Sequence, residues 1–185
     1  MNKTAFPEYY RLYLIERLPE PLTPASAHLQ IFDNYIEDTR LRLRLIRDPR
    51  SKNWTRILQQ HFVAESGAGT AKIAEIYLND AEYAVFEQFE GREIRKNRYF
   101  HEFDRVNFAF DVFLGELWGL NMARVDFQDV GEMEQFEAPT FAIFDVTSNS
   151  FFTGNNLVGK KFEDVRAEVA TLGVDTPLPS EMPDE

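Results

Sequence analysis

Residues Thr39 to Ile46, TRLRLRLI, alternate strictly between charged and apolar side chains. Arg40, Arg42 and Arg44 share one face, and Leu41, Leu43 and Leu45 share the other. A period of two belongs to a β-strand, whose successive side chains point to opposite sides. Like charges along one face repel unless something offsets them. Water on an open face does so, and so do carboxylates on neighbouring strands. A bound polyanion does the same, because the guanidinium fork matches phosphate oxygens with paired hydrogen bonds. Taken alone, the alternation favours a solvated face over a functional one.

The surrounding chain is acidic. Its 20 Lys and Arg stand against 31 Asp and Glu, a formal charge of −11, which argues against non-specific nucleic-acid or membrane-surface binding. With no cysteine, disulfides and thiolate metal sites are excluded. A chain of 185 residues suits one domain with a sizeable core. MNKTAFPEYY lacks the apolar run of a signal peptide, and no later stretch is long enough to span a bilayer, so a cytoplasmic protein is expected. His28, His61 and His101 lack metal-ligand spacing, and GxGxxG, Walker A and GxSxG patterns are absent. The GAG at Gly67 to Gly69 reads as a hairpin loop.

Periodicity predicts strands over Glu8–Glu16, His28–Ile36, Thr39–Ile46, Trp54–Phe62, Ala71–Leu78, Arg92–His101, Val106–Leu114 and Asn121–Gln128. The Pro-rich Arg17–Ala27 is a loop, and Ala64–Thr70 a small-residue loop. A helix capped by Asn79 is expected to run to Gly91, with a short helix over Gly131–Phe136 and an amphipathic one over Leu157–Leu172. Phe141–Phe152 reads as irregular, and residues 174–185 as a mobile, acidic, Pro-rich tail after one domain spanning 1–173. Phe108, Phe110, Trp118 and Phe127 are expected in the core. Eight strands with short connections predict an α+β chain, an antiparallel β-barrel flanked by helices. Arg40, Arg42 and Arg44, Lys96 and Arg98, and Arg124 and Asp126 fall on alternate positions of their strands, and the opposite faces include Leu41, Leu43, Leu45, Ala123, Val125 and Phe127. Helices packed on the apolar faces would turn the charged faces inward, around a wet lumen that holds a ligand.

The ordered segments resemble the CYTH domain, the triphosphate tunnel metalloenzymes. The likeness runs through the first strand, LRLR at Leu41–Arg44, IRKNRY at Ile94–Tyr99, DVFLGELWGL at Asp111–Leu120, ARVDF at Ala123–Phe127 and DVTSNSFFTGNNL at Asp145–Leu157. It covers roughly Glu8 to Leu157 in family order. The resemblance implies an eight-stranded tunnel whose basic wall grips a triphosphate while acidic residues hold Mg²⁺ or Mn²⁺. The metal would stabilise charge on the leaving oxygens and orient a water. It assigns Arg42, Arg44, Lys96 and Arg98 to substrate binding, and leaves Glu8, Glu75, Asp111 and Asp126 as metal ligands.

The acidic side departs from the family pattern. The opening Glu-x-Glu-x-Lys keeps Glu8 but has Tyr10 and Leu12 at its other positions. The fourth-strand lysine aligns with Gln60, the fifth-strand Glu-x-Glu with Ile73 and Glu75, and the eighth with Arg124 and Asp126. Arg124 puts a cation where a metal ligand is expected, and two unit cations a few ångströms apart repel by roughly 4 kcal/mol at a surface-like dielectric. Pairing of Arg124 with Glu8 or Glu75 would neutralise the tunnel from within. The expected function is therefore binding of a phosphorylated small molecule, a triphosphate or nucleotide, with weak or no hydrolysis. The alternatives are a Mg²⁺- or Mn²⁺-dependent triphosphate phosphohydrolase, and a non-catalytic interaction domain with a self-neutralised tunnel. Nothing in the chain reads as an adenine pocket.

Overall fold

The fold closes because one strand serves two neighbours. In the computed structural model, which describes residues 5–62, 68–89 and 91–173, β1 (Ala5–Leu14) pairs through Ala5–Tyr9 with β5 (Thr70–Tyr77) and through Tyr9–Leu14 with β8 (Asn121–Phe127). The circuit continues from β5 through β4 (Trp54–Phe62), β3 (Leu41–Arg47), β2 (His28–Ile36), β6 (Gly91–Phe103) and β7 (Val106–Phe113) back to β8. These eight strands form a closed antiparallel barrel, and a two-residue β9 (Phe144–Asp145) adds to β1 at Tyr13 and Leu14. No described helix is long and apolar enough to cross a membrane.

Register decides which side chains meet inside, since a shift of one residue would turn every side chain to the other face. Arg42 lies opposite Tyr35 and Gln59, and Arg44 opposite Asp33 and Ile57. Arg98 lies opposite Asp111, and Arg124 between Leu12 and Ala109. The alternation of TRLRLRLI is thus carried all round the barrel.

The barrel has a core at one end and another on its outer wall. Inside, Tyr35, Ile94, Phe113 and Met122 meet Val146, Phe152 and Leu157 of the chain after β8, with Val165 and Val169 of α4 (Phe162–Thr171) beneath them. Outside, Tyr13, Tyr99, Phe108, Phe110 and Val125 are covered by Leu18 and Leu22 of the Pro-rich loop and by Phe136 and Phe141. Helices were expected to cover these faces, but loops do most of it. The Phe141 ring packs edge-on to Phe108 and Phe110 at 5.2 and 5.4 Å, and the Tyr99 hydroxyl donates to the Pro24 carbonyl at 3.2 Å. An irregular strap seals an aromatic wall well, because offset ring contacts do not need a regular backbone above them.

Several expected boundaries shift. α1 (Asp80–Phe86) is capped by Asn79 and Glu82 as a capping box, and Gly91 opens β6 instead of ending that helix. Asp129 caps α2 (Val130–Gln135). The helix expected over Leu157–Leu172 begins later, as α4; Leu157 instead ends a short α3 (Gly154–Leu157), and Gly159 at φ +80° lies between the two. That left-handed backbone ends a helix, and glycine adopts it at least cost. Trp118 is exposed rather than core, whereas Phe127 packs on the outer aromatic core, its ring 5.1 Å from that of Phe136. Residues 63–67, which hold most of the small-residue loop and Gly67 of its GAG, lie outside the described residues, as does the tail 174–185.

The outer aromatic core yields a paired test. Phe110 is 0% exposed and Phe100 is 58% exposed. Phe110→Ala is expected to cost about 3–5 kcal/mol in urea unfolding, while Phe100→Ala changes stability by less than about 0.5 kcal/mol.

Candidate functional site: an ion-paired tunnel

A cavity of about 610 Å³ runs inside the barrel. Its wall includes Arg42, Arg44, Lys96 and Arg98, the residues expected to hold substrate, and Glu8, Glu75, Asp111 and Asp126, those expected to hold metal. Arg124, Asp33, Tyr35, Gln59 and His61 line it as well. Arg40, first in the arginine stripe, lies before β3, is exposed and stacks over Phe62 at 5.3 Å.

The charges inside are paired with one another. Arg44 grips Asp33 through Nε and Nη2 at 2.6 and 2.7 Å. Arg98 grips Asp111 the same way at 2.6 and 2.7 Å, and Lys96 Nζ donates to Asp111 at 2.7 Å. Arg42 gives Nε to Gln59 at 2.7 Å and Nη1 to the Tyr35 hydroxyl at 3.0 Å, and Gln59 in turn donates to Glu75. Arg124 gives Nε to Asp126 at 2.8 Å, and its Nη2 reaches both Asp126 at 2.6 Å and Glu8 at 2.9 Å. The Tyr10 ring covers that guanidinium at 4.2 Å.

A pattern repeats through these contacts. Each of the four arginines commits Nε and one Nη to an internal acceptor. The remaining nitrogen (Nη2 of Arg42, Nη1 of Arg44, Arg98 and Arg124) makes no hydrogen bond among the described residues. The cations Arg42, Arg44, Lys96, Arg98 and Arg124 face the carboxylates Glu8, Asp33, Glu75, Asp111 and Asp126, so five formal charges of each sign cancel.

The electrostatics follow from burial and neighbours. Burial alone would raise the Asp33 carboxyl, but Arg44 and Arg42 outweigh it and hold the group well below the usual carboxylate range. Asp111 behaves alike, with burial overcome by Arg98 and Lys96. Burial pushes the Lys96 ammonium down to about 8 although Asp111 opposes the shift. Burial, with Arg42 and Arg44 nearby, pushes the His61 imidazole down to about 4, and its Nε2 is buried without a partner. His61 is therefore neutral at pH 7.

The carboxylates expected to bind metal do not fit one. Glu8 and Asp126 meet on Arg124, Asp111 is held by Lys96 and Arg98, and Glu75 accepts from Gln59. Among the described residues no group of three or more His, Asp or Glu side chains is arranged around an ion. A divalent ion about 4 Å from a guanidinium would be repelled by about 8 kcal/mol at an effective dielectric near 20.

Register also corrects one expected position. The fourth-strand residue that faces the lumen is Gln59, not Gln60, a slip of one that changes the face. Asp33, Tyr35 and His61 were not singled out from the sequence. Asp33 had a visible signal, a carboxylate inside the largely apolar HLQIFDNYI at the same parity as Ile31 and Tyr35. His61 shares parity with Gln59, but nothing local marks it.

The His61 shift sets the sign of a pH effect. Its folded-state value near 4 lies below the ordinary 6.5, so between them the unfolded chain binds a proton that the folded chain does not. Stability is expected to fall as pH drops through that window. Denaturant midpoints at pH 7 and pH 4.5 should differ more in the wild type than in His61→Gln, and equal differences would contradict the assignment.

Ten chains of solved structures match this fold. A crystal structure described as the inorganic triphosphatase NE1496 is similar with 21% identity and a TM-score of 0.54, over 82% of this chain and 93% of that one. Another, described as the hypothetical protein NE1496, gives 20% identity and a TM-score of 0.55, over 83% and 99%. No family model and no curated protein matches the sequence. At such identity the likeness shows the fold: the chain forms the closed eight-stranded barrel of a triphosphatase tunnel, and binding and catalysis rest on its own residues.

Proposed function

We propose that this chain is a divergent CYTH-like tunnel protein that binds a phosphorylated small molecule through Arg42, Arg44, Lys96 and Arg98, with weak or no hydrolysis. The repeated guanidinium pattern carries this reading. Four arginines around one cavity are each fixed by internal bonds and each keeps an uncommitted nitrogen. A guanidinium already oriented loses little freedom when an anion arrives, so its remaining hydrogen bond is formed at low entropic cost. Charge cancels inside the tunnel, so attraction to the anion arises at these nitrogens and not from a strong positive field.

Weak hydrolysis follows from the same contacts. A carboxylate that accepts from two guanidinium nitrogens has little basicity left, as the depressed Asp33 and Asp111 show. The carboxylates that a metal would need are already engaged by Arg124, Lys96, Arg98 and Gln59. The likeness to a protein described as an inorganic triphosphatase favours a second reading, a Mg²⁺- or Mn²⁺-dependent phosphohydrolase in which the anion displaces these pairs.

Calorimetric titration of inorganic triphosphate, once with chelator and once with Mg²⁺, separates them. Binding in chelator, with no requirement for Mg²⁺, is expected. Arg42 is held mainly by neutral Gln59 and Tyr35, so its removal leaves no carboxylate without its main partner. Arg42→Met should weaken binding about ten- to a hundredfold, the worth of one charge-assisted hydrogen bond. Binding only with Mg²⁺, with phosphate release lost in Asp126→Ala, would establish the hydrolase instead. No binding of triphosphate, nucleotides or polyphosphate would leave a tunnel closed by its own ion pairs.

A further inference from the structure

Glu8 on β1 and Asp126 on β8 come from different strands, yet a carboxylate oxygen of each lies within hydrogen-bond distance of one atom, Nη2 of Arg124. Two carboxylates converging on a point is an arrangement that suits a small divalent ion, which needs only one or two such groups and fills its other positions with water or phosphate. Here the point is filled by a guanidinium tethered to β8, covered on one face by the Tyr10 ring. Burial opposes the charge on Arg124, but Asp126 and Glu8 hold it firmly cationic. Its Nη1 makes no hydrogen bond among the described residues, and the side chain lines the cavity.

We infer that Arg124 is a built-in cation that stands in for a divalent ion: it neutralises Glu8 and Asp126, presents Nη1 to a phosphate oxygen of the ligand, and makes the tunnel select the free anion over its metal complex. The inference rests on the anion-binding reading above and adds a named residue and a ligand state. A metal-complexed phosphate would bring its ion against a guanidinium that cannot be deprotonated and cannot leave the two carboxylates without unpairing both. A free phosphate meets one more donor of fixed geometry.

The test contains no phosphate, so its outcome is separate from that of the anion titration. Mn²⁺ is added to the full chain and binding is read from water-proton relaxation. The wild type and Arg124→Lys, which keeps the cation, are expected to show no saturable site. Arg124→Met should gain a saturable Mn²⁺ site, at least about tenfold tighter than the detection limit that bounds the wild type, because the repulsion is removed and two carboxylates are released. Adding Glu8→Gln to that variant should abolish the gain. Cooperative unfolding of Arg124→Met, followed by circular dichroism, shows that it is folded. If folded Arg124→Met binds Mn²⁺ no better than the wild type, the inference is overturned. Where Arg124→Met does not fold, the wild type decides: a saturable Mn²⁺ site lost in Asp126→Asn overturns the inference, and no such site upholds it.

Discussion

A charged face turned into a barrel persists only if each cation inside it finds an acceptor, because a charge removed from water without a partner costs several kcal/mol. The rest of this structure depends on that constraint. Arg44 and Arg98 are each held bidentately by one carboxylate, Lys96 shares Asp111, and Arg42 is held by a phenol and an amide. Such pairs contribute little net stability against an apolar core, but removing one partner leaves the other stranded. The tunnel is an interlocked set in which position, more than affinity between partners, is secured.

Position is supplied by the sheet. Asp33 meets Arg44 and Asp111 meets Arg98 because their backbones are cross-strand partners. The outward aromatic wall and its loops hold those strands in register, and the plug of Val146, Phe152 and Leu157 closes the apolar end of the lumen. The placement of the tunnel charges thus depends on packing outside the barrel as much as on the pairs within it. The same fixity accounts for the free guanidinium nitrogens: an arginine anchored through Nε cannot turn to satisfy its last donor on the protein.

Much of this could be read from the chain. Alternation in TRLRLRLI, in the Lys96–Arg98 pair and in the Arg124–Asp126 pair set strand period and inward charge, and the barrel follows from eight such segments with short links. The resemblance placed Arg124 among the acidic positions and so suggested pairing with Glu8 or Glu75; the geometry selects Glu8, while Glu75 accepts from Gln59. What could not be read is cross-strand partnership. Asp33 lies outside the matched motifs, and its role emerges only when β2 lies beside β3. Gln59 and Gln60 are chemically identical neighbours, so only register tells which enters the lumen. The loop cover was missed because a Pro-rich segment has no periodicity to announce what it packs on.

Internal partners fix the tunnel arginines and leave one nitrogen of each without a hydrogen bond among the described residues. Nuclear magnetic resonance of the arginine side chains, with inorganic triphosphate added in the presence of chelator, tests it most directly. In the ligand-free protein Arg42, Arg44, Arg98 and Arg124 should give slowly exchanging Nε–H signals. These should persist on binding while Nη resonances shift. Rapidly exchanging Nε–H groups before ligand is added, or loss of their protection when it binds, would contradict it.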